Sequence, residues 1–144
     1  MRRALSVALA IVVACGSDST GPQTTFSGDY VLQSINGQSL PYTWTLAPDE
    51  FYRIYDYRIS ITPASGSASN TGSWKSFFHD YYSDQGQVTD RPNVVEFGSF
   101  GYNPSTGSVS LLHFDLRTNW TGQLSADFAT LTIANSGDVW VFKR

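Results

Sequence analysis

The sequence predicts an all-β domain, an antiparallel meander of about eight to ten strands closed as a barrel, with a β-sandwich as the alternative. From residue 26 onward, apolar and polar residues alternate with a period of two in runs that recur about every 8 to 14 residues. No run in this part fits the 3.6-residue period of a helix. All four Trp, eight Tyr and nine Phe lie from Phe26 onward, an aromatic content that indicates a large buried core.

Turn residues divide this part of the chain into strands. The first predicted strand, 27–37, ends at Asn36-Gly37, the dipeptide most typical of a two-residue β-hairpin. Strict alternation along the second, 51–62, places Tyr55 and Tyr57 on one face. Pro92 interrupts a later run and predicts an edge or a bulge there. The other predicted strands are 73–82, about 88–89, 93–102, 108–116, 119–125, 129–135 and 139–144.

Residues 1–14 have the organisation of a signal peptide. A short cationic start, 1–3, precedes an apolar run, 4–13, and the small residue Ala14. The run is shorter than the ~20 apolar residues that span a bilayer. The segment 12–15, Val-Val-Ala-Cys, resembles the lipobox of bacterial lipoproteins, in which a peptidase cuts before the cysteine and its thiol receives a diacylglycerol.

This resemblance implies that Cys15, the sole cysteine, becomes the lipidated first residue of the mature protein. Three acyl chains would hold the protein to membrane lipid permanently. Gly16 at the next position implies a place at the outer membrane, facing the periplasm or the cell surface. Residues 15–25 are rich in Gly, Ser and Thr and are expected to form a flexible spacer. The alternative is an ordinary secretory signal with a chance cysteine.

The charge balance restricts the partners of the mature protein. Removal of the signal peptide leaves seven basic and twelve acidic residues, a net charge of about −5. This negative charge argues against binding of nucleic acid and against attachment to anionic lipid through a polybasic segment. Residues 26–144 are long enough for one domain with a single core.

Several short motifs resemble the small lipocalin-like domains of bacterial lipoproteins. The resemblance extends over 26–144 and implies a barrel in which Gly28 and Tyr30, under Lys143 or Arg144, close one end as structural residues. A cation over an aromatic face adds ~1 kcal/mol. The motifs are Gly28-Asp29-Tyr30, Asn36-Gly37 with Leu40-Pro41, Thr121-Gly122 with Leu124, Leu131-Thr132-Ile133 and Val141-Phe142-Lys143-Arg144.

Candidate catalytic residues are few. His113 and Asp115 lie two apart and so on one strand face, as half of a hydrolytic triad, but a polar face that meets water is the favoured interpretation. No Gly-x-Ser-x-Gly elbow supplies a nucleophile. Glu96 with Asp115 is the first carboxylate pair to check for glycoside hydrolysis. No histidine has metal-ligand spacing, so we expect no metal, no cofactor and no enzyme activity.

The aromatic surplus suggests binding. We expect the rings of Tyr55, Tyr57, Phe78 and Trp140 to form the wall of a cavity for a small apolar or amphipathic ligand. One alternative is an interior completely filled by side chains, with tyrosine hydroxyls reaching the surface. Another is that the aromatic strands dock onto a second envelope or membrane-complex protein.

Overall fold

The computed structural model describes residues 26–65, 70–115 and 118–144, so the predicted signal peptide, Cys15 and the spacer lie outside the described residues. The described chain is all β, as predicted. It contains no helix long and apolar enough to cross a membrane. Its strands are β1 (Gly28–Ile35), β2 (Gln38–Ser39), β3 (Tyr42–Ala47), β4 (Glu50–Pro63), β5 (Thr71–Asp84), β6 (Gln87–Asn103), β7 (Ser108–His113), β8 (Asn119–Leu124), β9 (Thr130–Asn135) and β10 (Asp138–Lys143).

Strand β1 closes the sheet into a barrel. Its first half, from Gly28 to Val31, pairs with β4, and its second half, from Val31 to Ile35, pairs with β10. The strands from β4 to β10 form an antiparallel meander between these two edges. Eight strands, β1 and β4 to β10, therefore make a closed barrel, which confirms the predicted barrel and excludes the sandwich.

The long strands β4, β5 and β6 extend beyond the barrel. Their extension is widened by β3, which pairs with the first five residues of β4. Tyr42 and Trp44 of β3 lie opposite Ile54 and Tyr52 of β4, so these four side chains share a face. That face continues the inner surface of the barrel and bears on the cavity described below.

A β-bulge in each of the long strands β4 and β6 changes which side chains face the interior. Tyr55 is an extra residue in β4, because Ile54 pairs with Asp80 while Asp56 pairs with His79. The second bulge is at Pro92, where the β5–β6 register shifts, and the predicted strands 88–89 and 93–102 are one strand around it. After a bulge, the other set of alternate residues faces the interior.

One end of the barrel is packed with aromatic side chains. Phe26, 2% exposed, lies 5.2 Å from Phe100 and 5.9 Å from Tyr102 between ring centroids, and the Tyr30 hydroxyl donates to the Phe128 carbonyl at 2.9 Å. We call this the sealed end. The opposite end, which carries the turns 36–37 and 136–137, is the open end.

The residues predicted to close one end lie at the sealed end. Tyr30 is fully buried, and the Arg144 guanidinium lies so near Gly28 that a Cβ there would come within 2.9 Å of it. Gly28 has φ +92°, which also favours glycine. Burial raises the pKa of Tyr30, and a hydrogen bond with Arg144 partly offsets this. Arg144 is thus the cation beside Tyr30, whereas Lys143 lies opposite the exposed Val31 on the outer surface.

Candidate ligand-binding cavity

A cavity of about 410 Å³ lies at the open end of the barrel and is open to solvent. This volume falls within the range of small-molecule sites, roughly 300 to 1,000 Å³. Strands β3 to β6 and β8 to β10 and the β9–β10 turn contribute to its wall. The lining residues are Trp44, Tyr52, Ile54, Tyr57, Phe78, Glu96, Trp120, Asn135, Ser136, Asp138 and Trp140.

The aromatic rings of the lining form one continuous wall. Trp140 lies at its centre, with ring centroids 5.9 Å from Trp44, 5.9 Å from Trp120 and 5.7 Å from Tyr57. Tyr57 is in turn stacked on Phe78 at 4.7 Å. Because these rings come from β3, β4, β5, β8 and β10, each holds its neighbours in place, and the wall is largely preformed.

Asp138 fixes the rim of this wall. Its carboxylate accepts hydrogen bonds from Trp44 Nε1 at 2.7 Å and from Asn36 Nδ2 at 2.6 Å. The Asn36 side chain also accepts from the Val139 backbone N–H at 2.9 Å. These bonds join the first hairpin and β3 to the β9–β10 hairpin, which lies about 100 residues later in the sequence. Both donors to the carboxylate are neutral, so the charge of Asp138 is not compensated by them.

A second carboxylate, Glu96, faces the cavity from β6. The Tyr57 hydroxyl donates to Glu96 Oε2 at 3.3 Å and is hydrogen-bonded to Ser76 Oγ at 3.2 Å, and His113 Nδ1 lies 3.7 Å from the same carboxylate oxygen. Burial raises the pKa values of both Glu96 and Tyr57. The pKa of His113 is lowered by burial, so the imidazole is neutral at pH 7.

Asp80 and Arg91 make a third polar group beside the cavity. The fully buried Asp80 carboxylate accepts a hydrogen bond from Tyr52 at 2.6 Å and two from the Arg91 guanidinium, the one from Nε at 2.8 Å. This bidentate pair compensates the charge of Asp80. A smaller cavity of about 310 Å³, lined by Tyr52, Tyr82, Thr89 and Arg91, adjoins it.

Three of the four predicted wall residues, Tyr57, Phe78 and Trp140, line the cavity together. The prediction for Tyr55 is wrong. Tyr55 is 36% exposed and lies against His79, with ring centroids 4.7 Å apart, on the outer surface. The bulge at Tyr55 is the reason, because it turns Ile54 and Tyr57 inward and leaves Tyr55 outside.

Comparison with protein-family models, characterised proteins and solved structures finds no match for this chain. The assignment of a candidate site therefore rests on the geometry of the barrel.

The structure does not bring the predicted catalytic residues together. His113 is 3% exposed and lies inside the barrel between Trp74 and Trp120, whereas Asp115 is exposed in the turn after β7. The expectation that His113 meets water is wrong, because Leu112 and Phe114, its neighbours in sequence, occupy the outer face. His113 Nε2 has no hydrogen-bond partner among the described residues. Glu96 faces inward and likewise does not meet Asp115.

Sequence reasoning missed several lining residues, namely Trp44, Tyr52, Trp120 and Asp138. The alternation in Tyr42-Thr43-Trp44-Thr45 is the sequence signal that indicates strand β3. No local pattern indicates Asp138, whose partners lie about 100 residues away. Within the described ranges, no group of three or more His, Cys, Asp or Glu side chains is placed to hold a metal ion.

The outer surface of the barrel has two further features. Phe97 and Phe114 are 47% and 57% exposed, with ring centroids 6.0 Å apart, and Leu112 and Val95 are also exposed. A groove of about 770 Å³ crosses the outer face of β6 to β10. Small and polar side chains such as Ser110 line most of that groove, so it lacks the aromatic wall of the interior cavity.

Proposed function

We propose that this protein is a lipid-anchored envelope protein whose barrel binds a small apolar or amphipathic ligand. The preformed aromatic wall of the 410 Å³ cavity carries the proposal. Apolar surface of a ligand would be buried against Trp140, Tyr57 and Phe78. A polar end would meet Asp138 and Ser136 at the open end. The activity is binding without catalysis.

The membrane anchor rests on the sequence. The lipobox resemblance at 12–15 supports a diacylglycerol on Cys15, with the barrel held near the outer membrane by residues 15–25. Mass spectrometry of the mature protein should find an N-terminal Cys15 with the added lipid. Cys15→Ser should release the protein from the membrane fraction, and a wild-type protein found unmodified in the soluble fraction would contradict the anchor.

Binding is tested with N-phenyl-1-naphthylamine, a neutral apolar probe whose fluorescence rises in apolar sites. We expect one probe per barrel, with energy transfer from the tryptophans. Trp44→Ala removes part of the wall from β3, outside the closed barrel, and should weaken binding about tenfold, as loss of a central aromatic contact does. Phe97→Ala removes an exposed ring from the outer surface and should leave binding unchanged. No saturable binding, or equal binding by the two variants, would contradict the proposal.

The exposed pair Phe97 and Phe114 favours a second candidate function, docking onto another envelope protein. A photo-crosslinking residue at position 97 should then capture one specific protein in the intact cell. The same residue at position 139, exposed on β10, is the control. Equal labelling from both positions would count against a docking role.

A further inference from the structure

The cavity described above combines an aromatic wall with two carboxylates. Among the described residues, the charged side chains that line it are Glu96 and Asp138, and no Lys, Arg or His side chain does so. Apolar ligands need no such charge, and buried carboxylates cost free energy unless a partner compensates them. The charge is therefore a feature that binding of an apolar molecule does not explain.

Neither carboxylate is neutralised within the described part of the chain. Asp138 is bound by the neutral donors Trp44 Nε1 and Asn36 Nδ2. Glu96 is bound by the Tyr57 hydroxyl, and its nearest basic group, His113 at 3.7 Å, is neutral at pH 7. Arg91 is also near, but it is engaged in the bidentate pair with Asp80. Asp138 therefore gives the cavity a negative charge that these donors do not compensate, and Glu96 adds to it at any pH above its raised pKa.

The ring wall lies between the two carboxylates. Trp44, which donates to Asp138, is 5.9 Å from Trp140, and Trp140 is 5.7 Å from Tyr57, which donates to Glu96. Aromatic faces attract cations through the ring quadrupole, and this attraction is stronger where water is excluded. A cation on these rings would be attracted electrostatically by both carboxylates as well as by the π faces. An anionic ligand would be repelled by the same groups.

We propose that the ligand of this cavity is an organic cation, a substituted ammonium carried on an apolar group. The ammonium lies against the aromatic rings that line the cavity, with Glu96 and Asp138 as its counter-charges. The apolar group packs toward Phe78 and Ile54. This inference rests on the proposed function, since it names the ligand class of the same cavity.

The test compares three ligands with the same eight-carbon chain: octyltrimethylammonium, octan-1-ol and octane-1-sulfonate. Binding is followed by calorimetry and by the fluorescence of the wall tryptophans. The ammonium should bind at least tenfold more tightly than the alcohol, and the sulfonate should bind most weakly. Raising NaCl from 50 to 500 mM should weaken ammonium binding and leave octan-1-ol binding unchanged.

Glu96→Gln and Asp138→Asn keep the shapes of the side chains and remove their charges. Each should weaken octyltrimethylammonium about tenfold and leave octan-1-ol within twofold. Asp115→Asn, which removes an exposed carboxylate outside the cavity, is the matched control and should change neither. If a variant also loses octan-1-ol binding, its cavity is damaged, and the ligand series and salt dependence of the wild type decide the question.

The outcomes separate the two proposals. Equal affinities for the ammonium and the alcohol, or tightest binding of the sulfonate, overturn the cation proposal and leave ligand binding in place. Failure of all three ligands and of N-phenyl-1-naphthylamine overturns the proposed function, and the cation proposal with it.

Discussion

Nδ1 of His113 lies 3.7 Å from the Glu96 carboxylate inside the barrel, although the two residues belong to different strands. His113 also packs against Trp74 and Trp120, with ring centroids at 4.5 and 4.4 Å. The imidazole is therefore surrounded by indole rings and has one acidic neighbour. Burial lowers the pKa of His113.

This burial makes stability depend on pH. In the unfolded chain His113 takes up a proton near its ordinary pKa of about 6.5, whereas in the folded barrel it does so only at lower pH. Stability is therefore lost as the pH falls below about 6.5. We expect His113→Leu to flatten the decline measured by urea unfolding between pH 7 and pH 5, whatever its effect on stability at pH 7.

His79→Leu is the control for this prediction, because His79 lies toward the outer surface and bonds Asp90. The His79→Leu variant should still lose the part of its stability that depends on His113 as the pH falls from 7 to 5. A His113→Leu curve that runs parallel to the wild-type curve from pH 7 to pH 5 would show that His113 does not titrate differently in the folded state.

The fold was predictable because its main signal is local. Alternation and turn residues mark the strands, and Asn36-Gly37 is a turn in which both residues have positive φ, 52° and 77°. A meander needs only neighbouring strands to pair, so the order of the strands in the barrel follows their order in the sequence. The double pairing of β1, which closes the barrel, has no local signal.

The site was predictable only in part. Tyr57, Phe78 and Trp140 were assigned to the cavity, but Tyr55 was misplaced, because a single extra residue reverses the faces on either side of it. His113 was misplaced because polar residues are usually exposed, and its burial depends on Trp74 and Trp120 from other strands. Such contacts between distant strands cannot be predicted from the periodicity of any one strand.

The Asp80–Arg91 pair should contribute strongly to stability. Arg91→Met would leave the fully buried Asp80 carboxylate with the Tyr52 hydroxyl as its one side-chain partner in the part of the chain that the structure describes. Breaking a buried pair by removing one partner costs about 3 to 5 kcal/mol, and since half of the Arg91 side chain is exposed we expect about 2 kcal/mol. Chemical denaturation measures this loss.

The double variant Asp80→Asn with Arg91→Met should regain part of that stability, because the uncompensated charge is gone. Arg53→Met, which removes an outer-surface arginine near Phe51, should change stability by less than about 1 kcal/mol. A loss as large as that of Arg91→Met would point to a general effect of removing arginine.

Gly98 is required by the close approach of β6 and β7. A Cβ at Gly98 would lie 1.8 Å from the Leu112 carbonyl oxygen and 2.7 Å from Trp74 Nε1, so the strands would have to separate. We expect Gly98→Ala to cost at least about 3 kcal/mol, the upper range for overpacking. Gly101→Ala, in the same strand with open space around its Cβ, should cost less than about 1 kcal/mol. Similar midpoints for the two variants in urea would contradict this account.

Phe26 contributes to the packing of the sealed end. Its ring is 2% exposed and lies 5.5 Å from Tyr30 and 5.2 Å from Phe100 between centroids, so it belongs to the core even though it precedes β1. We expect Phe26→Ala to lower the free energy of unfolding by about 3 kcal/mol, as truncation of a buried Phe to Ala does. The wild-type and variant proteins that are compared both begin at residue 23. Leu46→Ala, which truncates a side chain that is 60% exposed, is the control and should cost less than about 1 kcal/mol. A Phe26→Ala variant as stable as the wild type would show that Tyr30, Phe100 and Arg144 close the sealed end without the Phe26 ring.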